Sequence, residues 1–153
     1  MGLGALNIVP ALQSAKRIYI DTAPFIYFVE RHTAYFAKML RIVDLIEAQP
    51  LQAFTSVMTL TEIMVQPLKV GNTELAQECH DILVSSDQFS VLSVTEEIAI
   101  TAGVIRARYS LRTPDAIHVA TAIASDCDAI LTNDVAMKRV TDLNVLHLDD
   151  LEL

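Results

Sequence analysis

Short apolar runs alternate with longer stretches of helical spacing along this chain, and the alternation predicts strands and helices in turn. Strands are expected at about Arg17–Asp21, Gln52–Thr55, Phe89–Ser93, Asp128–Thr132 and Asn144–His147, each brief and apolar at its centre. Thr22 can cap and Pro24 can open a helix directly after the first strand. A second helix is expected over about Thr33–Glu47, where Phe36, Leu40, Val43 and Ile46 or Ala37 share a face, and Pro50 closes that unit. The helix after the second strand is expected to run to about Val65, with Pro67 ending it. Gly71-Asn72 marks a turn before an amphipathic helix carrying Leu75, Cys79, Ile82 and Leu83. Thr95-Glu96-Glu97 opens a helix to about Tyr109, and Thr113-Pro114-Asp115 opens another to about Ser125. A short helix separates the last two strands. Such an order predicts an α/β domain built on a parallel sheet.

Length sharpens this to one domain, since 153 residues can bury a single sizeable core. No low-complexity linker or internal repeat divides the chain. Residues 17–153 are expected to form the domain, with residues 1–16 as an amino-terminal extension offering an extra partner contact. Although 52% of residues are apolar, no run approaches the roughly 18 needed for a membrane helix. The amino terminus lacks the basic start of a secretory signal. Cys79 and Cys127 belong to no paired motif and read as small buried residues in a reducing, cytoplasmic setting. A net charge of −8 argues against whole-surface attraction to nucleic acid. It leaves room for a local basic strip, and Arg106, Arg108 and Arg112 supply one just before Asp115.

Four carboxylates carry the candidate chemistry. Asp21 and Asp134 follow predicted strands, while Glu62 and Asp115 fall in the first turns of predicted helices. In a parallel sheet with helical crossovers, strand carboxyl ends and the amino ends of the following helices share one edge. Each acid also has a plain structural explanation. Thr59-Leu60-Thr61-Glu62 fits a capping box, Asp115 complements a helix dipole, Asn133 or Asp134 can cap the short helix, and Asp21 can begin a turn. Independent caps need not converge on one edge, whereas the acids of a metal site must. Clustered like charges repel strongly at low dielectric, so a convergent set calls for a divalent cation. Oxygen-only ligation suits Mg²⁺ or Mn²⁺ and not zinc. The implied chemistry is metal-assisted phosphodiester hydrolysis.

At these residues the chain resembles a known family. Ile18-Tyr19-Ile20-Asp21-Thr22, the Thr55-Ser56-x-x-Thr59-x-x-Glu62 segment, Arg112-Thr113-Pro114-Asp115-Ala116-Ile117-His118-x-Ala120-Thr121-Ala122 and Leu131-Thr132-Asn133-Asp134 are similar to the PIN domain, and most like its bacterial VapC-type branch. All four segments occur in order, between about Arg17 and Leu151. The resemblance implies a three-layer α/β/α sandwich around a mostly parallel five-stranded sheet. It implies that Asp21, Glu62, Asp115 and Asp134 bind Mg²⁺ or Mn²⁺ and are catalytic, with Thr132 supporting them. It also implies cleavage of single-stranded or structured RNA by the toxin of a type II toxin–antitoxin pair, held inactive by a small antitoxin.

Arg112, being so near Asp115, is the arginine expected to hold a phosphate. His118, one helical turn after Asp115, reads as a packed, hydrogen-bonded histidine and not a ligand. Tyr27, Phe28, Tyr35 and Phe36 read as core, or as a groove for a homodimer partner or an antitoxin. No glycine-rich phosphate loop, dinucleotide fingerprint or Gly-x-Ser-x-Gly elbow is present. A phosphoaspartate enzyme of the haloacid-dehalogenase type would need a second acid two residues after Asp21, where Ala23 stands. Two other readings stay open: a PIN-like module that binds RNA or protein without cutting, and a DNA-directed nuclease.

Overall fold

Five strands run parallel in the computed structural model, which describes residues 6–48 and 50–153. A two-residue strand β1 (Leu6–Asn7) and helix α1 (Ile8–Gln13) precede β2 (Arg17–Ile20), which is followed by α2 (Thr22–Val29) and α3 (Phe36–Ala48). Next come β3 (Gln52–Ser56), α4 (Val57–Lys69), α5 (Thr73–Val84) and β4 (Phe89–Leu92). Helices α6 (Glu96–Tyr109) and α7 (Thr113–Ala124) lead to β5 (Ala129–Thr132), a 3₁₀ turn (Val135–Arg139) and β6 (Asn144–His147). The chain closes with a second 3₁₀ turn (Leu148–Asp150) and β7 (Leu151–Glu152), which pairs with β1.

The main sheet has the order β4-β3-β2-β5-β6. From β2 the chain steps outward through β3 to β4, then returns to the other side of β2 as β5. The order therefore reverses between β2 and β5, and the crevice beyond the carboxyl ends of those two strands is where α/β sheets place ligands.

Strand pleating makes this a three-layer structure, because successive side chains leave opposite faces. Ile18, Ile20, Ala129 and Leu131 enter one buried cluster with Leu12, Phe25, Ile42 and Leu83. Tyr19, Phe54 and Ile130 enter a second, with Ile105, Val119 and Met137. Helices α1, α2, α3 and α5 thus cover one face, and α6 and α7 the other. Ile130 is wholly buried, so Ile130→Ala would cost about 2–5 kcal/mol in lost burial and cavity formation. Ahead of β2, Ile8 and Leu12 of α1 are also fully buried in the first cluster. The first five residues of the expected extension lie outside the described residues.

Helix ends differ from the sequence expectations for identifiable reasons. Asp21, not Thr22, caps α2, its Oδ1 accepting from the Thr22 N–H at 2.8 Å. Ser56 caps α4, its Oγ accepting from the Met58 N–H at 3.2 Å, so the helix starts at Val57. Glu62 consequently stands in the second turn and not the first, and the capping box at Thr59 does not form. Pro67 lies inside α4 and does not end it. A proline loses only its own N–H, and its carbonyl still accepts from Asn72 N–H at 2.9 Å while Leu68 accepts from Gly71 N–H at 3.2 Å. Those two bonds form a Schellman end, with Gly71 at φ 70° supplying the left-handed residue. Helix α3 begins at Phe36 and not Thr33, because His32 instead holds a turn, its ring Nδ1 accepting from Ala34 N–H at 3.1 Å.

Candidate active site

Asp21 leaves the end of β2 with its backbone N–H still in the ladder, donating to Leu131 at 2.9 Å. The residue is only 6% exposed, and Thr132, at the end of the neighbouring β5, donates its hydroxyl to Oδ2 at 2.7 Å. The same Thr132 oxygen accepts from Asp134 N–H at 3.1 Å, and Asp134 Oδ1 accepts from Ala136 N–H at 2.9 Å. Thr132 thereby joins the two acids that follow strands. The two acids on helices reach the same edge. Asp115 lies in the first turn of α7, where Arg112 meets it through Nε at 3.0 Å and Nη2 at 3.4 Å. Glu62 projects from α4, and its Oε1 accepts from the Thr22 hydroxyl at 2.9 Å.

All four acids line one cleft of about 630 Å³, together with Arg112, Asn133, Ser110 and Arg139. Convergence of the acids, expected from the parallel topology, is what the structure has. Their electrostatics follow from burial and proximity. Asp115 is held above the ordinary carboxylate range, first by burial and then by the nearby charges of Asp134 and Asp21, which together outweigh Arg112. Glu62 is held below that range by its bond from His118, with Thr22 and Arg112 adding to it against partial burial.

His118 is packed and hydrogen-bonded, as expected, and its contacts reach two of the four acids. It is 1% exposed, and its Nε2 lies 2.8 Å from Glu62 Oε1, 3.3 Å from Asp21 Oδ1 and 3.3 Å from Thr22 Oγ1. Its Nδ1 is 2.7 Å from the buried Tyr19 hydroxyl, which also bonds Ser56 Oγ at 2.8 Å. Burial pulls the imidazole pKa down, but Glu62, Asp21 and Asp115 outweigh it and hold the group above its ordinary value. The signal available in sequence was the spacing Asp115…His118, one helical turn on one face.

The arginines divide. Arg112 lines the cleft beside Asp115, as expected. Arg106 bonds the Thr113 hydroxyl at 2.7 Å, and Arg108 pairs with Asp142 at 3.2 Å, away from the acids. Arg139 joins the cleft instead, where Nη1 donates to the Ser110 carbonyl at 3.1 Å. Nothing local in the sequence marked it. Tyr27 and Tyr35 stack at 4.5 Å, and Phe28 and Phe36 at 5.8 Å, with Tyr27, Phe28 and Tyr35 packed against the first core cluster.

Among the described residues, no three His, Cys, Asp or Glu side chains form a ready-made metal-ligand set. Protein donors occupy part of each acid: Thr22 and Thr132 at Asp21, His118 at Glu62, Arg112 at Asp115 and Ala136 N–H at Asp134. A carboxylate offers about four lone-pair sites, so each retains acceptor capacity towards the cleft. The donors are all oxygen, and burial, with Asp134 and Asp21 nearby, holds the Asp115 carboxyl above its ordinary value in spite of Arg112. Those properties fit a hard divalent cation. Among the described residues, no helix is long and apolar enough to cross a membrane.

Comparison with known proteins agrees with this architecture. No curated protein matches the chain at a significant level. VapBC2 from Rickettsia felis, solved bound to a DNA fragment from its promoter, superimposes with a TM-score of 0.67 at 18% identity, covering 86% of this chain and 98% of that one. DNA-bound VapBC from Salmonella typhimurium gives 0.67 at 17% identity, covering 86% and 98%. Mycobacterium tuberculosis VapC20, a toxin that cleaves the sarcin–ricin loop, gives 0.62 at 19% identity over 74% and 86%. At these identities the likeness is one of fold. The PIN domain family model matches residues 18–143, from the first long strand to the edge of the last. That span holds the switch point, all four acids and most of both cores, and the chain accordingly belongs to the PIN domain family.

Proposed function

We propose that this protein is a divalent-cation-dependent endoribonuclease that hydrolyses phosphodiester bonds of single-stranded or structured RNA, as the toxin of a type II toxin–antitoxin pair. The observation that carries the reading is one cleft, at the switch point of the sheet, lined by Asp21, Glu62, Asp115 and Asp134 together with Arg112 and Arg139. Acids to hold a cation and arginines to hold phosphate are what phosphodiester hydrolysis needs side by side. The antitoxin reading draws on solved relatives in toxin–antitoxin complexes, such as one from Klebsiella pneumoniae at 23% identity.

Asp21, Asp115 and Asp134 would hold Mg²⁺ or Mn²⁺, with Glu62 alongside. When bound, the cation polarises the phosphodiester and acidifies the attacking water. The chain's own residues orient and bind. Thr132 keeps one Asp21 oxygen fixed so that the carboxylate cannot rotate away. Arg112 counters Asp115 and, with its side chain 76% exposed, is free to lean onto a phosphate. Arg139, which also lines the cleft, offers a second phosphate contact. A homodimer, an antitoxin groove at Tyr27, Phe28, Tyr35 and Phe36, and a cytoplasmic location belong to the same proposal.

The test is cleavage by highly purified protein of matched single-stranded RNA, structured RNA and single-stranded DNA, with Mg²⁺, Mn²⁺ or EDTA. Cation-dependent RNA cleavage lost in Asp21→Asn is the expected result. RNA binding without cleavage would favour the non-cutting module, and preferential DNA cleavage the DNA-directed nuclease.

A further inference from the structure

His118 does not line the cleft, yet it touches more of the cleft's polar wall than any residue that does. From α7 it reaches β2 at Tyr19, the α2 cap at Asp21, α2 at Thr22 and α4 at Glu62. Its ring is buried and both nitrogens are engaged, so neither is left to act on a substrate. Behind it, the Tyr19 hydroxyl meets Nδ1 and also the Ser56 hydroxyl that caps α4. The same imidazole therefore contacts a side chain in the second turn of α4 and, through Tyr19, the cap of that helix.

Glu62 needs such a brace. Its side chain is 34% exposed, on a long flexible stem, whereas Asp21 is buried and held on both oxygens. Without a partner at 2.8 Å, solvent would compete for the Glu62 carboxylate and several rotamers would become available.

We propose that the buried pair Tyr19–His118 is a positioning device that fixes Glu62 against Asp21, so that the cation-holding wall is formed before a cation arrives. This rests on the cleavage reading above. His118 acts through Glu62, and Tyr19 acts through His118. Partners that orient ligating groups from behind typically carry 10–100-fold in metal affinity.

The experiment measures Mn²⁺ affinity of the metal-stripped full chain by calorimetry, beside kcat and KM for RNA. Glutamine can place an amide N–H near the position of Nε2, whereas asparagine reaches only near Nδ1. His118→Asn is expected to weaken Mn²⁺ by ~10–100-fold and lower kcat with little change in KM, while His118→Gln stays within ~3-fold of the wild-type affinity. In a Glu62→Gln background, His118→Asn should add nothing further, because its effect passes through that carboxylate. Tyr19→Phe leaves the imidazole in place but removes its brace, and should weaken Mn²⁺ by ~3–10-fold even if His118→Asn fails to fold. Equal losses in His118→Gln and His118→Asn, full additivity with Glu62→Gln, or unchanged affinity in Tyr19→Phe would each overturn the positioning role. Wild-type protein that neither binds Mn²⁺ nor cleaves RNA would instead overturn the cleavage reading, and this role with it.

Discussion

Thr132 donates its hydroxyl to Asp21 Oδ2 at 2.7 Å, across 111 residues of sequence and between the two strands that flank the switch point. Both side chains are buried, so water does not replace the bond when it is lost. Thr132→Val keeps the shape and removes the donor. Hydrogen bonds to charged groups contribute about 1.5–3 kcal/mol, and the variant should lose that much in urea denaturation. Its RNA cleavage should fall by roughly 10-fold or more through loss of Asp21 alignment. Thr132→Ser should restore most of both. Wild-type stability in Thr132→Val would show that Asp21 is held by other means.

Asp115 is a charged group kept in a place that disfavours its charge. Burial, Asp134 and Asp21 raise its pKa in the folded state, so ionised Asp115 subtracts from stability at neutral pH. Asp115→Asn removes that penalty. It also removes the ion pair with Arg112, and although that side chain is 76% exposed and solvent screens the pair, this loss offsets part of the gain. Without divalent cation the variant should gain about 1 kcal/mol, read as a melting temperature roughly 2–4 °C higher. RNA cleavage should fall by about 100-fold or more. A lower melting temperature together with full activity would remove Asp115 from the proposed machinery.

The arginines separate binding from surface charge. In an Asp21→Asn background, which keeps the RNA intact, Arg139→Ala should reduce the slope of log affinity against log salt by about 0.7, the contribution of one phosphate contact to a single strand. Arg108→Ala should leave the slope unchanged, because Arg108 is paired with Asp142 outside the cleft. Equal effects at the two positions would mean that RNA does not contact Arg139 in the cleft.

Stability should also depend on pH at the opposite end of the sheet. Asp128 Oδ2 accepts from the Lys16 and Arg17 N–H groups at 2.7 and 2.9 Å, which start β2, and these bonds hold its carboxyl below the usual carboxylate range. A depressed acid contributes stability above its unfolded pKa, near 3.9, and loses that contribution as pH falls through the lower folded value. Asp128 is exposed, so solvent screening limits the effect to about 1 kcal/mol. Asp128→Ala should therefore be less stable than wild type at pH 7, and the gap should close below about pH 4. A gap of constant size across that range would show that the carboxylate charge plays no part.

What the sequence determined by itself was the order and type of the main elements and the identity of the acids. Helical and strand periodicity are local properties, written by side chains that face one core within a few residues of one another. The parallel topology then told which edge Asp21, Glu62, Asp115 and Asp134 would share. Helix ends were less legible, because competing caps such as Ser56 and Thr59 differ only in which hydroxyl the folded backbone meets. Ser56 reaches the Met58 N–H, whereas Thr59 is buried and bonded to Thr55. Tertiary structure alone decided how the acids are held. Tyr19 meets His118 from 99 residues away, and Arg139 enters a cleft whose other arginine is Arg112. Those relationships depend on the β2–β5 neighbourhood and on the packing of α4 and α7 behind it. A side chain's partners across the sheet are set by strand order and register, which no local run of residues carries.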